Sequence, residues 1–194
     1  MKIKHFEGGY DANLSYVVYD EKTLKGVVID PLNSDDIVNF VKENKIDLVY
    51  IINTHSHFDH VEGNDLIKKE FGCQVISHEL EEDKADNKVK EGRALKVGSL
   101  EIKIIHTPGH TPGGICLLID NCLFTGDTLF MGHVGRTDFP GGNRQDMVAS
   151  IKKLMQLDDT IIIYPGHNYD YLGKVDSTIG QERKNNPFVL EYCR

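Results

Sequence analysis

Short apolar runs separated by polar turns follow one another along most of the chain, and their lengths are those of β-strands. Strand-like runs fall at 2–7, 14–20, 25–30, 48–55, 74–78, 95–107, 115–126 (with a turn at 120–121) and 160–166. Apolar residues at helical spacing fall at 34–44, 62–71 and 147–157. Because helices are interspersed among blocks of strands, the pattern predicts a mixed α/β domain built in layers.

The stretch 79–90 interrupts this rhythm, because it is dense in charge and poor in apolar residues. Its pattern predicts an exposed helix or a mobile loop. The sequence leaves open whether the wider segment 79–93 forms a lid over a binding site or ordinary solvated surface.

Composition places the chain among ordinary globular proteins. With 194 residues, 40% of them hydrophobic and 27% charged, the chain has the size of one domain, and we expect residues 1–194 to form it. The apolar runs are far shorter than the roughly 20 residues of a membrane span, so no membrane is expected as a partner. The N-terminal residues lack the apolar core of a secretory signal, which predicts a cytoplasmic protein.

Charge and cysteine content narrow the classes of partner. The formal net charge is −8 and the basic residues are scattered along the chain, which argues against a nucleic-acid partner. The four cysteines form no C-x-x-C pair, a pattern typical of reduced thiols rather than of a disulfide framework. A small anionic molecule is a suitable partner, and the sequence is compatible with a homo-oligomer.

The sequence THSHFDH at 54–60 concentrates the candidate chemistry. It places three imidazoles and a carboxylate directly after the apolar run LVYIIN, at His55, His57, Asp59 and His60. In α/β sheets, the loop that follows a buried strand usually presents functional side chains. The motif therefore predicts a metal site.

Three further strand ends carry the same kinds of side chain. His106 and His110 lie in IIHTPGH, Asp127 follows FTG, and His167 follows YPG. Glycine in each turn allows the backbone to bend sharply, so the four loops can bring their side chains to one centre. Imidazole and carboxylate groups without thiolates suit Zn, Fe or Mn. We expect a structural or supporting role for His106.

Together these motifs resemble one known family. THSHFDH, TPGHTPG (107–113), FTGDTLF (124–130) and YPGHN (164–168) are similar to motifs of the metallo-β-lactamase superfamily, and specifically of its glyoxalase II branch. The resemblance extends from GGYDANLSYVVYD at 8–20 to GRTDFPGG at 135–142. It implies a four-layer αββα sandwich with the metal site at one edge between two sheets.

The resemblance also implies two divalent metal ions, for which we expect zinc first and iron or manganese as alternatives. The implied ligands of one ion are His55, His57 and His110. Those of the other ion are Asp59, His60 and His167, and Asp127 bridges the two ions. Every ligand position of the two-metal pattern is filled in this sequence.

Such a site predicts hydrolysis. Two divalent ions lower the pKa of a bridging water, so that hydroxide can attack an electrophilic carbon near neutral pH, and the ions neutralise the oxyanion that develops. A thioester suits this chemistry, because its thiolate leaving group needs little protonation. We expect a hydrolase of S-2-hydroxyacylglutathione-type thioesters that attacks through a metal-bridging hydroxide. Asp59 would be a catalytic residue that orients the attacking water and also binds metal.

The sequence departs from the glyoxalase II pattern after His167. That branch carries a helical extension whose basic residues contact the glutathione carboxylates, and here only NYDYLGKVDSTIGQERKNNPFVLEYCR follows. Substrate contacts would then fall to other cations and to an aromatic side chain. The candidates are Arg136, Arg144, Lys174, Arg183, Tyr169 and Tyr171. Surface ion pairs, such as Arg136 with Asp138, are the alternative role for these cations.

The same ending supports a second interpretation. HNYDYLGKVDSTIGQERKNNP is similar to the tail of persulfide dioxygenases, a neighbouring branch that has the same histidine-rich motif and uses a single iron. The ligands implied there are His55, His110 and Asp127, a two-histidine, one-carboxylate set associated with oxygen chemistry. We favour hydrolysis, because every ligand of a second metal is present. A third class, a metal-binding module without catalysis, gives no account of open coordination positions.

Overall fold

Two six-stranded sheets face each other across an apolar interior and carry helices on their outer faces. The computed structural model describes residues 1–9, 11–32, 34–81, 84–169 and 174–194. The layers are those of an αββα sandwich, so the predicted fold class is confirmed.

The first sheet is built from the N-terminal part of the chain, and its strands lie side by side in chain order. They are β1 (Lys2–Gly8), β2 (Asn13–Tyr19), β3 (Lys25–Ile29), β4 (Asp47–Ile52), β5 (Gln74–His78) and β6 (Asn87–Val89). The first three are antiparallel, whereas β3 to β6 run parallel to one another. The carboxyl ends of β3, β4 and β5 therefore lie at one edge of the sheet.

The second sheet is formed by the rest of the chain and has a crossover. Its six strands are β7 (Ala94–Val97), β8 (Leu100–His106), β9 (Ile115–Ile119), β10 (Cys122–Gly126), β13 (Ile162–Pro165) and β14 (Ser177–Thr178). A separate two-stranded ribbon is formed by β11 (Leu129–Phe130) and β12 (His133–Val134). The spatial order is β14-β13-β10-β9-β8-β7, with β10 and β13 parallel.

Helices cover both outer faces through separate apolar clusters. They are α1 (Ser34–Glu43), α2 (Phe58–Val61), α3 (Asn64–Phe71), α4 (Arg144–Leu154), α5 (Ile179–Asn185) and α6 (Pro187–Tyr192). The interior between the sheets includes Tyr16 and Phe124, whose rings meet edge-on at 5.1 Å. Ile37 of α1 and Ile67 of α3 pack on the first sheet, and Ile151 of α4 packs on the second. Within the described ranges, no helix is long and apolar enough to span a membrane.

Helix α4 begins earlier than the apolar pattern over 147–157 predicts. Asn143 caps the helix, because its Oδ1 accepts hydrogen bonds from the backbone N–H of Gln145 (2.8 Å) and of Asp146 (3.2 Å). An N-cap of this kind stabilises a helix by about 1 kcal/mol. The polar first turn is thus set by capping, which apolar periodicity does not report.

The prediction of an exposed helix or a mobile loop over 79–90 is wrong in part. Strand β6 pairs with β5, and its Val89 is buried in the interior between the sheets. Glu81 is buried as well. A three-residue strand is too short for periodicity to reveal, and the burial of Glu81 depends on partners distant in sequence. Residues 82–83 lie outside the described residues.

Candidate metal centre

The histidine-rich motif forms the loop that leaves the carboxyl end of β4. His55 and His57 precede α2, and Asp59 and His60 lie within its single turn. The side-chain amide of Asn53 donates a hydrogen bond to the backbone oxygen of His60 (2.9 Å). This bond folds the loop back on the end of β4, so the motif curls over one edge of the first sheet.

The second sheet brings three further side chains to the same edge. His110 follows β8, Asp127 follows β10 and His167 follows β13. The backbone N–H of Ile115 donates to the backbone oxygen of Thr54 (2.9 Å), which ties the loops of the two sheets together. The four strand ends that the sequence analysis singled out therefore converge.

One cluster, called here the first group, consists of His55, His57 and His110. Nε2 of His55 lies 3.1 Å from Nδ1 of His57, and Nε2 of His110 lies 2.9 Å from the same Nδ1. Three ring nitrogens thus point at one small volume, an arrangement that could hold a metal ion. Imidazole nitrogens are preferred ligands of zinc and iron.

A second cluster, called here the second group, consists of Asp59, His60 and His167. The Nε2 atoms of His60 and His167 lie 3.3 Å apart. Oδ2 of Asp59 lies 3.7 Å from the former nitrogen and 3.6 Å from the latter. These three side chains also could hold a metal ion.

Asp127 lies between the two groups. Its Oδ2 is 3.4 Å from Nε2 of His110 and 3.3 Å from Nε2 of His167, and its Oδ1 is 3.5 Å from Nε2 of His60. Oδ1 is buried and has no hydrogen-bond partner among the described residues. A buried carboxylate oxygen without a partner is costly, and a cation between the groups would satisfy it. The cluster therefore fits a divalent metal site.

Backbone carbonyls fix the orientation of two imidazoles. Nδ1 of His110 donates to the backbone oxygen of Arg136 (2.7 Å), and Nδ1 of His167 donates to that of Asp11 (2.8 Å). Because each Nδ1 carries the proton, each Nε2 presents its lone pair to the centre. Partners of this kind raise the basicity of a metal-binding imidazole.

Asp30 and Asn13 support the second group, and neither was predicted from the sequence. Oδ2 of Asp30 lies 3.0 Å from Nδ1 of His60, and its two oxygens also accept hydrogen bonds from the backbone N–H and the hydroxyl of Thr54 (2.7 and 2.6 Å). The side-chain amide of Asn13 donates to Oδ2 of Asp59 (2.8 Å). The signal for Asp30 was its position in VVIDP, directly after β3 at the same sheet edge.

Burial and neighbouring charges act in opposite directions on the pKa values of histidines in the two groups and on that of Asp127. Burial lowers the pKa of His55 well below its usual value, which favours the neutral form that binds metal. Burial also lowers the pKa of His60, but the carboxylates of Asp127 and Asp30 outweigh it and raise that pKa to about 9. Although burial would raise the pKa of Asp127, the imidazole of His60 helps to hold it well below the usual value. The carboxylates thus attract positive charge to this edge.

Among the residues predicted to bind substrate, Arg136 is linked to the first group through the ring of Phe139. Its guanidinium pairs with Asp138 through two hydrogen bonds of 2.7 Å and lies 4.0 Å from the ring centroid of Phe139. That ring in turn meets the ring of His57 edge-on at 5.5 Å. The ion pair with Asp138, given as the alternative role, is therefore present.

Two of the other predicted cations are paired with residues outside the two groups. Arg144 pairs with Glu191 of α6 at 2.6 Å. Arg183 of α5 donates to the backbone oxygens of Met155 and Leu157, just after α4, and to Asp159, and so links α5 to the chain that follows α4. Lys174 is exposed, and Tyr171 lies outside the described residues. Tyr169 stacks on His167, with ring centroids 5.5 Å apart.

His106 belongs to neither group. Its Nε2 donates to the backbone oxygen of Pro112 (2.9 Å), and its ring stacks on that of His78 with centroids 4.1 Å apart. The hydrogen bond closes the loop that carries His110, and the stacking joins the end of β8 to the end of β5, which fits the structural role expected for His106.

Fold and site together define a class, namely αββα proteins with a histidine and carboxylate metal centre at the edge between two sheets. The chain belongs to the metallo-β-lactamase superfamily, which it matches over residues 8–167. It is thus a member of a superfamily of metal-dependent enzymes, and the predicted superfamily is confirmed.

Relatives of two activities are similar to this chain to the same degree. Hydroxyacylglutathione hydrolase GloC of Haemophilus influenzae is 34% identical over 208 residues, covering 93% of this chain and 93% of that protein. The mitochondrial persulfide dioxygenase ETHE1 of Bos taurus is 33% identical over 185 residues, covering 92% and 72% respectively. The crystal structure of ETHE1 from Myxococcus xanthus superimposes with a TM-score of 0.92 at 31% identity, covering 98% and 85%. Membership of the glyoxalase II branch therefore stays a prediction.

Proposed function

We propose that the chain is a metal-dependent thioester hydrolase that uses two divalent ions, with zinc as the ion expected first. The observation that carries this proposal is that the first and second groups each combine side chains from both sheets and share Asp127. The first group would hold one ion, the second group would hold the other, and Asp127 would contact both. Because each group needs both sheets, we also propose that residues 1–194 act as one domain.

Two divalent ions at these groups would lower the pKa of a water molecule, so that hydroxide forms near neutral pH. Asn13 holds Oδ2 of Asp59 at 2.8 Å, and a carboxylate fixed in this way is suited to orient the attacking water. We therefore assign Asp59 as the catalytic residue that positions this water. No general acid is required, because a thiolate leaves without protonation.

The surroundings of His57 suit a substrate with apolar and anionic parts. Phe58 and Phe139 are 63% and 40% exposed, which is high for large apolar side chains. Arg136 lies against the ring of Phe139, and we propose that its guanidinium contacts a carboxylate of the substrate. A glutathione-type thioester combines these features, and similarity to hydroxyacylglutathione hydrolase GloC supports this class.

Oxidation of a persulfide at a single iron is the second candidate. Its support is the similarity of sequence and structure to persulfide dioxygenases ETHE1. In that case one iron would be held by His55, His110 and Asp127, a ligand set suited to oxygen chemistry. The second group would then carry no ion.

Two assays on one purified sample separate these candidates. Hydrolysis of S-lactoylglutathione is followed through release of free thiol, and oxygen uptake is followed with glutathione persulfide as substrate. We expect thioester cleavage without oxygen uptake. Persulfide-dependent oxygen uptake without thioester cleavage would overturn the hydrolase and support the dioxygenase.

A further inference from the structure

Glu81 is a buried acidic residue that connects two loops of the metal centre. Its side chain is only 5% exposed. Oε2 accepts a hydrogen bond from the backbone N–H of Ser56 (2.8 Å). Oε1 accepts one from the hydroxyl of Thr111 (2.6 Å) and one from the backbone N–H of Gly113 (2.9 Å). The burial of this carboxylate is therefore offset by three hydrogen-bond donors.

The residues that Glu81 contacts lie next to members of the first group. Ser56 separates His55 from His57, and Thr111 directly follows His110. One oxygen of the carboxylate thus holds the loop after β4, and the other oxygen holds the loop after β8. Besides the backbone hydrogen bond between Ile115 and Thr54, the two loops are thus linked by one side chain that lies outside both.

The loop after β8 is shaped to receive this side chain. A Cβ atom at Gly113 would lie 2.7 Å from Cγ of Glu81 and 2.9 Å from its backbone nitrogen. Such distances are too short for non-bonded atoms, so a larger residue at 113 would displace Glu81. The close approach is what allows the N–H of Gly113 to reach Oε1.

We propose that Glu81 is a positioning residue that sets the separation of His57 and His110 and thereby controls how tightly the first group holds its ion. The proposal rests on the metal site of the proposed function. Residues that support metal ligands typically change metal affinity 10–100-fold when they are replaced. The second group is held instead by Asp30 and Asn13, so its ion should be little affected.

Metal release from the full-length protein tests this role. Wild-type and Glu81→Gln proteins are loaded with zinc and mixed with a chromophoric chelator, and the release rate of each equivalent is measured. The amide has one acceptor oxygen where the carboxylate has two, so at least one of the three donors loses its partner. We expect one equivalent to leave about 10–100-fold faster and the other at the wild-type rate. A His57→Ala protein identifies the equivalent that belongs to the first group.

Two more variants make the test specific. Glu79→Gln lies in the same segment and alters an ion pair with exposed Lys90 (2.9 Å), so its release rates should equal those of wild type. Thr111→Val removes one of the donors and should accelerate release of the same equivalent by a smaller factor, which serves if Glu81→Gln fails to fold.

The outcomes separate this proposal from the proposed function. Unchanged rates in Glu81→Gln and Thr111→Val, or equal acceleration of both equivalents, would overturn the role of Glu81 alone. If the wild type holds a single ion, faster release of that ion in Glu81→Gln supports the role, and an unchanged rate overturns it. A wild type that binds no zinc or iron would overturn both proposals.

Discussion

Asp127 is the residue on which both halves of the candidate centre depend, because its carboxylate faces His110, His167 and His60. In Asp127→Asn a neutral amide replaces the shared negative charge. We expect metal content to fall by at least one equivalent and thioester turnover to fall at least about 100-fold, the upper end of what supporting residues cost. Elemental analysis and the thiol-release assay measure these effects. Asp146→Asn, on the exposed face of α4, is the control, and full metal content in Asp127→Asn would refute the shared role.

Asp59 separates the two candidate functions. In Asp59→Ala the second group loses a ligand and the attacking water loses its orienting group, so turnover should fall about 10²–10⁴-fold, as for loss of a general base. Metal content should fall from two equivalents to one. The exposed Asp65→Ala variant in α3 should behave as wild type. Unchanged activity and unchanged metal content in Asp59→Ala would exclude the catalytic role.

At the residue scale, the sequence predicted the members of both groups better than their supports. Residues such as His110 and Asp127 are recognisable because their chemistry lies in short motifs after strands. Asn13 and Glu81 were missed because their partners, Asp59 and the Thr111 loop, lie far away in the sequence. An isolated amide or carboxylate shows in the sequence nothing of what it will contact.

At the scale of elements, the loop after β8 packs closely against α4 because Gly109 has no side chain. Gly109 has a φ of +138°, and a Cβ atom there would lie 2.5 Å from the backbone nitrogen of Met147. In Gly109→Ala, either the loop or α4 must move, which displaces the adjacent His110. In urea denaturation, we expect the unfolding free energy of Gly109→Ala to fall by more than that of Gly72→Ala. We also expect Gly109→Ala to lose activity.

Gly72→Ala is the matched control because Gly72 also has a positive φ, of 67°, yet has nothing within 4 Å of its Cβ position. Gly72→Ala should lower the unfolding free energy by only about 1–2 kcal/mol, the cost of the left-handed backbone conformation for alanine. Its activity should be unchanged. Equal losses of stability in the two variants would show that the contact with α4 is unimportant.

A carboxylate also links a turn of one sheet to a turn of the other. Asp20, after β2, accepts hydrogen bonds from the backbone N–H of Ser99 in the β7–β8 turn and from that of Lys22, both at 2.9 Å. These bonds, that of Ser99 foremost, hold the pKa of Asp20 well below its usual value. Because the folded pKa is lower than the unfolded pKa of about 3.9, the contribution is complete above that pH and is lost as the pH falls through the folded value.

Stability should therefore fall on acidification more steeply in the wild type than in Asp20→Asn. Urea midpoints measured between about pH 6 and pH 2.5, a range around the usual Asp value, test this expectation. Asp47→Asn, at an exposed and loosely paired carboxylate, should keep the wild-type slope. A wild-type slope in Asp20→Asn would contradict the link between the turns.

Elements were predictable where their apolar pattern is long. The runs that became β2, β5 and α1 coincide closely with the predicted ranges, whereas the predicted run 95–107 is divided into β7 and β8. Strand β6 and the single turn of α2 were not predicted, because three or four residues carry no periodicity. Their existence depends on pairing with β5 and on the fold of the loop after β4, which are tertiary effects.

At the scale of the whole molecule, each metal group is completed only when the two sheets come together. The loop after β4 belongs to the first sheet, and the loops after β8, β10 and β13 belong to the second. Bound metal would therefore favour the packed sandwich over the unfolded chain. The four loops meet at one sheet edge because each sheet contains parallel strands. The blocks of apolar runs predicted the fold class but not this arrangement of the strands.

The two-metal centre is tested most directly by an anomalous diffraction map from crystals of the protein with its native metal. For the two-metal hydrolase we expect two peaks about 3.5–4 Å apart, the spacing of two-metal sites. One would lie among the imidazoles of the first group and the other in the second group, with Asp127 between them. A single peak at the iron edge, bounded by His55, His110 and Asp127 and without a companion in the second group, would contradict the two-metal hydrolase.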